Sequence, residues 1–380
     1  MPRKAPKGTM ARKPPMPPRM GPRTPAHTLT GLAVEAGVSV STVSKVLNGR
    51  TDVAPGTRER IGRLLRQHGY EPDSKLGFGV VDLLLGIGDC PSPTHLHDPW
   101  AEELIHGAVE AAAEVQHSVI VTTVGSAGEF DKWLELATAR GTEGVLSVVH
   151  LPDGAERQRL ATAGIPVVVI DPPDEPGAGI RSVGTTNSQG GLSAARHLIE
   201  LGHRRIAAIG GPAGQWSSRA RLDGFRAAML DAGLPVDEGL VRRDTFSVAG
   251  GRRQALHLLG LADRPTGIVA GNDAQAFGVL QALAEHRLRA PDDVSVVGFD
   301  DVPVAAWATP PLTTIRQPLA AMAATAFRML RPSGADNPAQ AHHVELATTL
   351  VVRESTAPPA THLAGRRSNE TSRGRAGGGS

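Results

Sequence analysis

The sequence predicts an N-terminal all-α helix-turn-helix headpiece followed by a two-lobed α/β domain, its parallel sheets wound on both faces. Three observations predict this. Residues 28–72 carry three short helical patterns, with a glycine turn between the first two. Residues 80–353 alternate short Val/Ile/Leu runs with stretches of helical period. That second region is about 275 residues long, more than one sheet usually organises, so two lobes are expected.

Within the headpiece, Thr28 can cap a first helix whose inner face is Leu29, Leu32 and Ala33. Gly37-Val38-Ser39 breaks it, and Ser39 caps a second helix over 40–47, ended by Asn48-Gly49. Pro55 suits the first turn of a third helix running to about His68. Its Ile61, Leu64 and Leu65, three and four apart, mark one buried face.

In the body, strands are expected at 80–85, 119–124, 144–149, 166–170, 205–209, 267–270 and 294–297. Helices are expected at 99–115, 187–201, 217–232, 273–287 and 319–330, and a last strand at 343–352. The expected segments are a basic arm (1–27), the headpiece (28–72), a hinge (73–79), a ligand-binding and dimerisation domain (80–356) and a disordered tail (357–380).

Charge sharpens this division. The chain has 40 basic and 38 acidic side chains, a formal +2. Residues 1–27 carry seven basic groups and no acid, whereas residues 76–360 carry 22 basic and 32 acidic groups, a formal −10. An acidic body with a basic front end points to a polyanion as the partner of the front. Residues 1–27 also hold eight prolines and read as a disordered arm, or as sequence upstream of a start at Met10, Met16 or Met20.

The second helix of the headpiece carries the chemistry. Ala36 lets two helices approach, Gly37 supplies a left-handed turn residue, and Val38, Val43 and Val46 plug the shared core. Val40, Ser41, Thr42, Ser44 and Lys45 remain on the face that enters a DNA major groove in such motifs. Hydroxyls and Lys45 can reach phosphates and base edges, and Val40 a thymine methyl. A bare helical hairpin with a polar face is the plainer alternative.

The run Ala36-Gly37-Val38-Ser39, Thr42-Val43-Ser44 and Val46-Leu47-Asn48-Gly49, with Gly69-Tyr70-Glu71-Pro72, resembles the DNA-binding headpiece of the lac repressor (LacI/GalR) family. Further matches follow in order: Leu201-Gly202-His203-Arg204-Arg205-Ile206, Arg219-Ala220-Arg221-Leu222-Asp223-Gly224-Phe225, Asn272-Asp273, Val297-Gly298-Phe299-Asp300-Asp301 and Pro311-Leu312-Thr313-Thr314. The resemblance covers residues 28 to 356. It implies a homodimeric transcription regulator, in most cases a repressor of carbohydrate-utilisation genes, with a core like a periplasmic sugar-binding protein. Its partners would be a near-palindromic double-stranded DNA operator and a small effector, a mono- or oligosaccharide. It also implies DNA contacts from Thr28, Ser39, Val40, Ser41, Thr42, Ser44, Lys45 and Asn48, and from Leu76 as a minor-groove wedge.

For the effector cleft the resemblance implies Asp171, Arg221, Phe246, Asn272 and Asp300. Trp100 and Gln317 are further candidates from their places in the pattern. The chemistry is coherent: Asp, Asn and Arg heads each bind adjacent sugar hydroxyls, and aromatic faces cover a ring's apolar side. Each has a plainer role, as a turn cap for Asp300, an ion-pair partner for Arg221 and packing for Trp100 and Phe246.

Two departures from the family stand out. Gly31 replaces an acidic residue in the first helix, which weakens that helix by about 1 kcal/mol. Two glycines in residues 73–79 also argue against a stable hinge helix.

Other classes find little support. The single cysteine, Cys90, excludes an internal disulfide and a Cys-rich zinc site and fits a reducing compartment. The basic N-terminus has no apolar h-region after it, so a cytoplasmic, nucleoid-associated protein with no membrane partner is expected. No metal site or cofactor is expected. The loop with Cys90, His95, His97 and Asp98 has no standard ligand spacing, and Gly210-Gly211-Pro212-Ala213-Gly214 reads as a cleft-edge loop. No nucleophile or zinc-protease motif supports an enzyme. A sugar-binding protein of a transport system, without a DNA role, is the alternative.

Overall fold

A computed structural model of the chain describes residues 29–47, 53–67, 79–86, 98–149, 152–174, 180–330 and 342–360. The chain divides into two units, residues 1–78 and 79–380. The arm, Thr28, Asn48 and Leu76 lie outside the described residues.

The first unit is a three-helix cluster: α1 (Leu29–Ala36), α2 (Val40–Leu47) and α3 (Pro55–Gln67). Leu32, Ala33, Ala36, Val43, Ile61 and Leu65 form its buried core, flanked by Leu29, Val38, Val46 and Leu64. Gly37 takes φ +62°, and there the Gly37 and Val38 N–H groups close the end of α1 on the Val34 and Ala33 carbonyls, at 3.1 and 3.0 Å. The Ser39 hydroxyl then accepts from the Thr42 N–H at 3.2 Å and starts α2.

The second unit has two six-stranded sheets. The first joins β1 (Gly79–Gly86), β2 (His117–Val124), β3 (Gly144–Val148), β4 (Val167–Ile170), β5 (Ser182–Thr185) and β11 (His343–Leu346), in the order β11-β5-β4-β3-β1-β2 and all parallel. The second joins β6 (Ile206–Gly210), β7 (Val241–Arg243), β8 (Gly267–Ala270), β9 (Ser295–Asp300), β10 (Thr313–Arg316) and β12 (Thr349–Val351), in the order β12-β10-β9-β8-β6-β7. Only β12 runs antiparallel to its neighbour.

Alternation along the strands fills both faces. On β1, Leu83 and Leu85 pack with α4 (Pro99–Ala113) and α11 (Leu319–Leu330). Leu84 points the other way, to α5 (Ala127–Arg140) and α6 (Gly154–Ala163). On β6, Ala207 and Ile209 face α9 (Val248–Leu259) and α10 (Asp273–Glu285), while Ile206 and Ala208 face α7 (Asn187–Glu200) and α8 (Trp216–Asp231). Helices α7 and α8 touch through glycine: a Cβ on Gly224 would stand 1.9 Å from the Ser188 carbonyl oxygen.

Three expectations change. The strand expected over 343–352 is two strands in different sheets, because the chain passes between lobes at residues 347–348. Gly79, placed in the hinge, already pairs with His117 as the first residue of β1. The expected tail from 357 begins too early: Ala357 accepts from or donates to His203 and Ser295 at 2.9 to 3.0 Å, and Ser355 is fully buried between the Val296 carbonyl and the Thr313 N–H.

Candidate functional site

A cavity of about 620 Å³ lies between the two sheets. Trp100, Asp171, Arg221, Phe246, Asn272 and Asp300 all line it, together with Asp98, Asp174, Arg243, Asp244 and Thr245. Asp171, Phe246, Asn272 and Asp300 stand at or just after strand ends and Trp100 and Arg221 on helices that follow strands, from both lobes, the place where open α/β sheets put ligands.

Arg221, on α8, is the buried centre. Its Nε donates to Asn187 Oδ1 at 2.8 Å and its Nη1 to the Gly271 carbonyl at 2.7 Å. The guanidinium lies 3.7 Å from the centre of the Phe299 ring and 5.6 Å from that of Phe246. Asp300 Oδ1 stands 3.8 Å from Nη1. Burial lowers the guanidinium's pKa, and the charges of Asp300, Asp171 and Asp273 counter it.

The carboxylates around Arg221 are aimed by unusual backbone. Asp171 follows β4 at φ +49°, and Asp300 ends β9 at φ +123°, regions that non-glycine residues seldom adopt. Burial pushes the Asp171 carboxyl above its usual range, against the pull of Arg221. Burial pushes Asp300 up further, with Arg221 opposing and Asp273 reinforcing the rise. Both therefore gain from a ligand that donates hydrogen bonds to them.

The remaining walls are braced. Asn272 caps α10, its Oδ1 accepting from the Gln275 N–H at 2.9 Å, and lines the cavity beside that cap. Gln275, fully buried, binds the Gly210, Thr245 and Gly271 backbones at 3.0 to 3.2 Å and so ties together three cleft loops. Phe246 fits because position 211 is glycine; a Cβ there would stand 2.2 Å from the ring. Trp100 lies in the first turn of α4, where its N–H donates to the capping Asp98 at 3.1 Å. Across the cleft, the Trp216 N–H donates to the Pro173 carbonyl at 2.6 Å.

Gln317 differs from its expected place. It does not line the cavity; it lies behind Asp300, donating from Nε2 to Oδ1 at 2.6 Å and accepting from Thr185 Oγ1 at 3.0 Å. Both Thr185 and Gln317 sit where the chain passes between lobes, so Gln317 positions the carboxylate from the crossover.

Sequence reasoning passed over Asn187, Arg243, Asp244 and Thr245. Asn187 opens α7 and meets Arg221 only through the fold. The other three follow or end a three-residue strand with no apolar signal. Asp98 stands in the sequence only as part of the loop with Cys90, His95 and His97, which has no standard ligand spacing. Among the described residues no group of three or more His, Cys, Asp or Glu is arranged to hold a metal ion, and no helix is long and apolar enough to cross a membrane.

On the headpiece, Ser39, Val40, Ser41 and Lys45 are exposed, and Thr42 and Ser44 half-buried, on the α2 side away from the core. The Ser39 hydroxyl is shared with those of Ser41 and Thr42, 2.8 Å from each.

Residues 28–73 match the bacterial regulatory proteins of the lacI family, and residues 195–356 match the periplasmic binding protein-like domain. The ribose operon repressor of Escherichia coli (strain K12) is 34% identical over 296 residues, covering 77% of this chain and 88% of its own length. The chain belongs to the lacI family.

Two solved structures place this lacI-family chain further. A complex of the transcriptional regulator CelR with cellobiose is 31% identical, with a TM-score of 0.64 over 86% of this chain and 99% of that one. A lac repressor dimer bound to operator and the anti-inducer ONPF is 25% identical, with a TM-score of 0.61 over 87% and 99%. This lacI-family protein is a DNA-binding transcriptional regulator with a ligand-controlled core, as the helix-turn-helix and the two-lobed α/β reading expected.

Proposed function

We propose that the regulator is a cytoplasmic homodimeric repressor whose affinity for a near-palindromic operator is set by a saccharide held between its lobes. The observation that carries this reading is the convergence of Asp171, Arg221, Asn272 and Asp300 on one cavity flanked by Trp100 and Phe246. Polar heads on a floor with aromatic walls fit a ring with hydroxyl edges and apolar faces. The cavity, about 620 Å³, is in the size range of small-molecule sites and has room for a saccharide of one or two rings. Ribose and cellobiose in the names of its relatives fall in the same chemical class.

DNA contact is assigned to Ser39, Val40, Ser41, Thr42, Ser44 and Lys45, two headpieces reading successive major grooves. The effector acts only if it binds the DNA-competent and DNA-incompetent arrangements with different free energies. The protein binds ligands and turns nothing over in this reading.

The test is an electrophoretic shift of the full chain on DNA upstream of its own gene, with and without mono- and disaccharides. A specific shift that a sugar alters is expected. A specific shift that no sugar alters would remove the saccharide effector, and no specific shift would remove the operator.

A further inference from the structure

The cavity lining holds two arginines in different settings. The guanidinium of Arg221 faces the carboxyls of Asp300 and Asp171, with Asp273 behind them. Arg243 ends β7 and lines the cavity. Among the described residues its guanidinium has one hydrogen bond, from Nη1 to the Ser218 hydroxyl at 3.1 Å, and no ion pair.

The acids around Arg243 are already engaged. Asp244, next in the chain, is held by Arg253 at 2.6 Å and by Gln254 at 2.9 Å. Partial burial would raise its carboxyl, but those bonds and the Thr245 N–H hold it down at about 2, so it stays a satisfied anion turned to Arg253. Glu238 is bound by both ends of the Arg226 guanidinium, at 2.9 and 3.1 Å, and Asp223 lies 3.5 Å from the same arginine. Among the described residues Arg219 is a second cation with no ion pair: its Nη1 donates to the Ala213 and Gly214 carbonyls, at 3.0 and 2.8 Å. Burial, with the nearby charges of Arg226 and Arg219, disfavours the Arg243 cation, and the charges of Asp223 and Glu238 offset only part of this. A half-buried arginine with one neutral partner gains most from an anion, which it can bind through two parallel charge-assisted hydrogen bonds.

We propose that the effector is an acidic saccharide, with its hydroxylated ring on the floor at Arg221, Asp171 and Asp300 and a carboxylate or phosphate on Arg243. This rests on the saccharide reading above and narrows it from sugars in general to sugar acids and sugar phosphates. Arg243 is then the specificity-determining residue, while the floor supplies affinity common to neutral and acidic sugars.

The test uses the full chain and isothermal titration with matched probes: glucose, galactose, ribose and cellobiose, each beside its aldonic or uronic acid and its terminal phosphate ester. We expect at least one acidic member to bind about tenfold tighter than its neutral parent, the advantage shrinking as salt is raised. Arg243→Gln should erase the preference for the acidic member; Arg243→Lys should keep much of it. Preference for phosphate or for carboxylate members separates the two sources of the anion.

Equal or tighter binding of the neutral parents overturns this inference and leaves the saccharide reading standing. So does a preference for acids that survives Arg243→Gln. No binding by any member overturns both. Arg243→Lys keeps the charge, so a preference retained there and lost in Arg243→Gln separates the cation's role from a disturbance of the cleft.

Discussion

Replacing Arg221 with methionine keeps much of the side chain's apolar volume and removes its charge. Arg221 is 7% exposed and Asp300 4%, so neither charge can turn to water. The variant loses the bonds to Asn187 and Gly271 and leaves Asp300 and Asp171 facing no cation. Breaking one partner out of a buried pair costs about 3–5 kcal/mol. The carboxyls are already pushed toward their neutral forms, and protonation returns part of that cost, so the lower end, about 3 kcal/mol, is expected at pH 7. Urea unfolding followed by circular dichroism reads it as a lowered midpoint. Adding Asp300→Asn to Arg221→Met should restore about 1–3 kcal/mol, because it removes the stranded charge. A loss below about 1 kcal/mol, the scale of an exposed pair, with no recovery in the double variant, would refute the claim that Arg221 holds the cleft floor together.

Other outcomes can be checked alongside. Gly224→Ala should destabilise by about 1–3 kcal/mol, since its methyl meets the Ser188 carbonyl at 1.9 Å and α7 must move away from α8; a melting temperature equal to wild type would contradict this contact. Burial raises the Asp273 carboxyl to about 7 despite bonds from Thr314 and the Val302 N–H, so its folded pKa lies above its unfolded one. Its contribution to stability is therefore whole below about pH 4 and fades as pH rises through about 7. In melts from pH 5 to 8, wild type should lose stability with rising pH relative to Asp273→Asn up to about pH 7, and the two slopes should converge above it; parallel slopes throughout would contradict the raised carboxyl. Lys45→Ala should weaken operator binding and reduce the slope of log affinity against log salt by about one; an unchanged slope would place Lys45 off the phosphates.

The headpiece was the most legible part of the sequence, because a short helix-turn-helix keeps its glycine turn, its cap and its core positions adjacent in the chain. Helices α7, α10 and α11 were readable for a similar reason, each beginning or ending close to where its pattern does. Strands β5, β7 and β10 were not, being three or four residues long and flanked by no apolar run. Helices α5, α6 and α9 also went unassigned, their apolar faces diluted by charged and small residues.

At the cleft, single residues in motifs, such as Arg221 and Asp300, were visible as types. That Gln317 stands behind Asp300 and not beside it depends on where two chain crossings meet, which no local pattern encodes. Arg243 was invisible for the opposite reason, since an arginine in a short run of arginines reads as solvated surface until the fold turns it toward a cavity.

The three passages of the chain between the lobes also set an order of assembly. Helix α11, whose Met322, Phe327 and Leu330 fill the first lobe's core, and β11, its sheet edge, are both encoded after β6 to β10 of the second lobe. During synthesis the second lobe's strands therefore leave the ribosome while the first still lacks a helix and an edge. Neither lobe is complete until the end of the body is made: β11 closes the first lobe's sheet and β12, just after it, the second's. A chain stopped anywhere before residue 319 keeps neither lobe whole: the first lacks α11 and β11, and the second lacks β12.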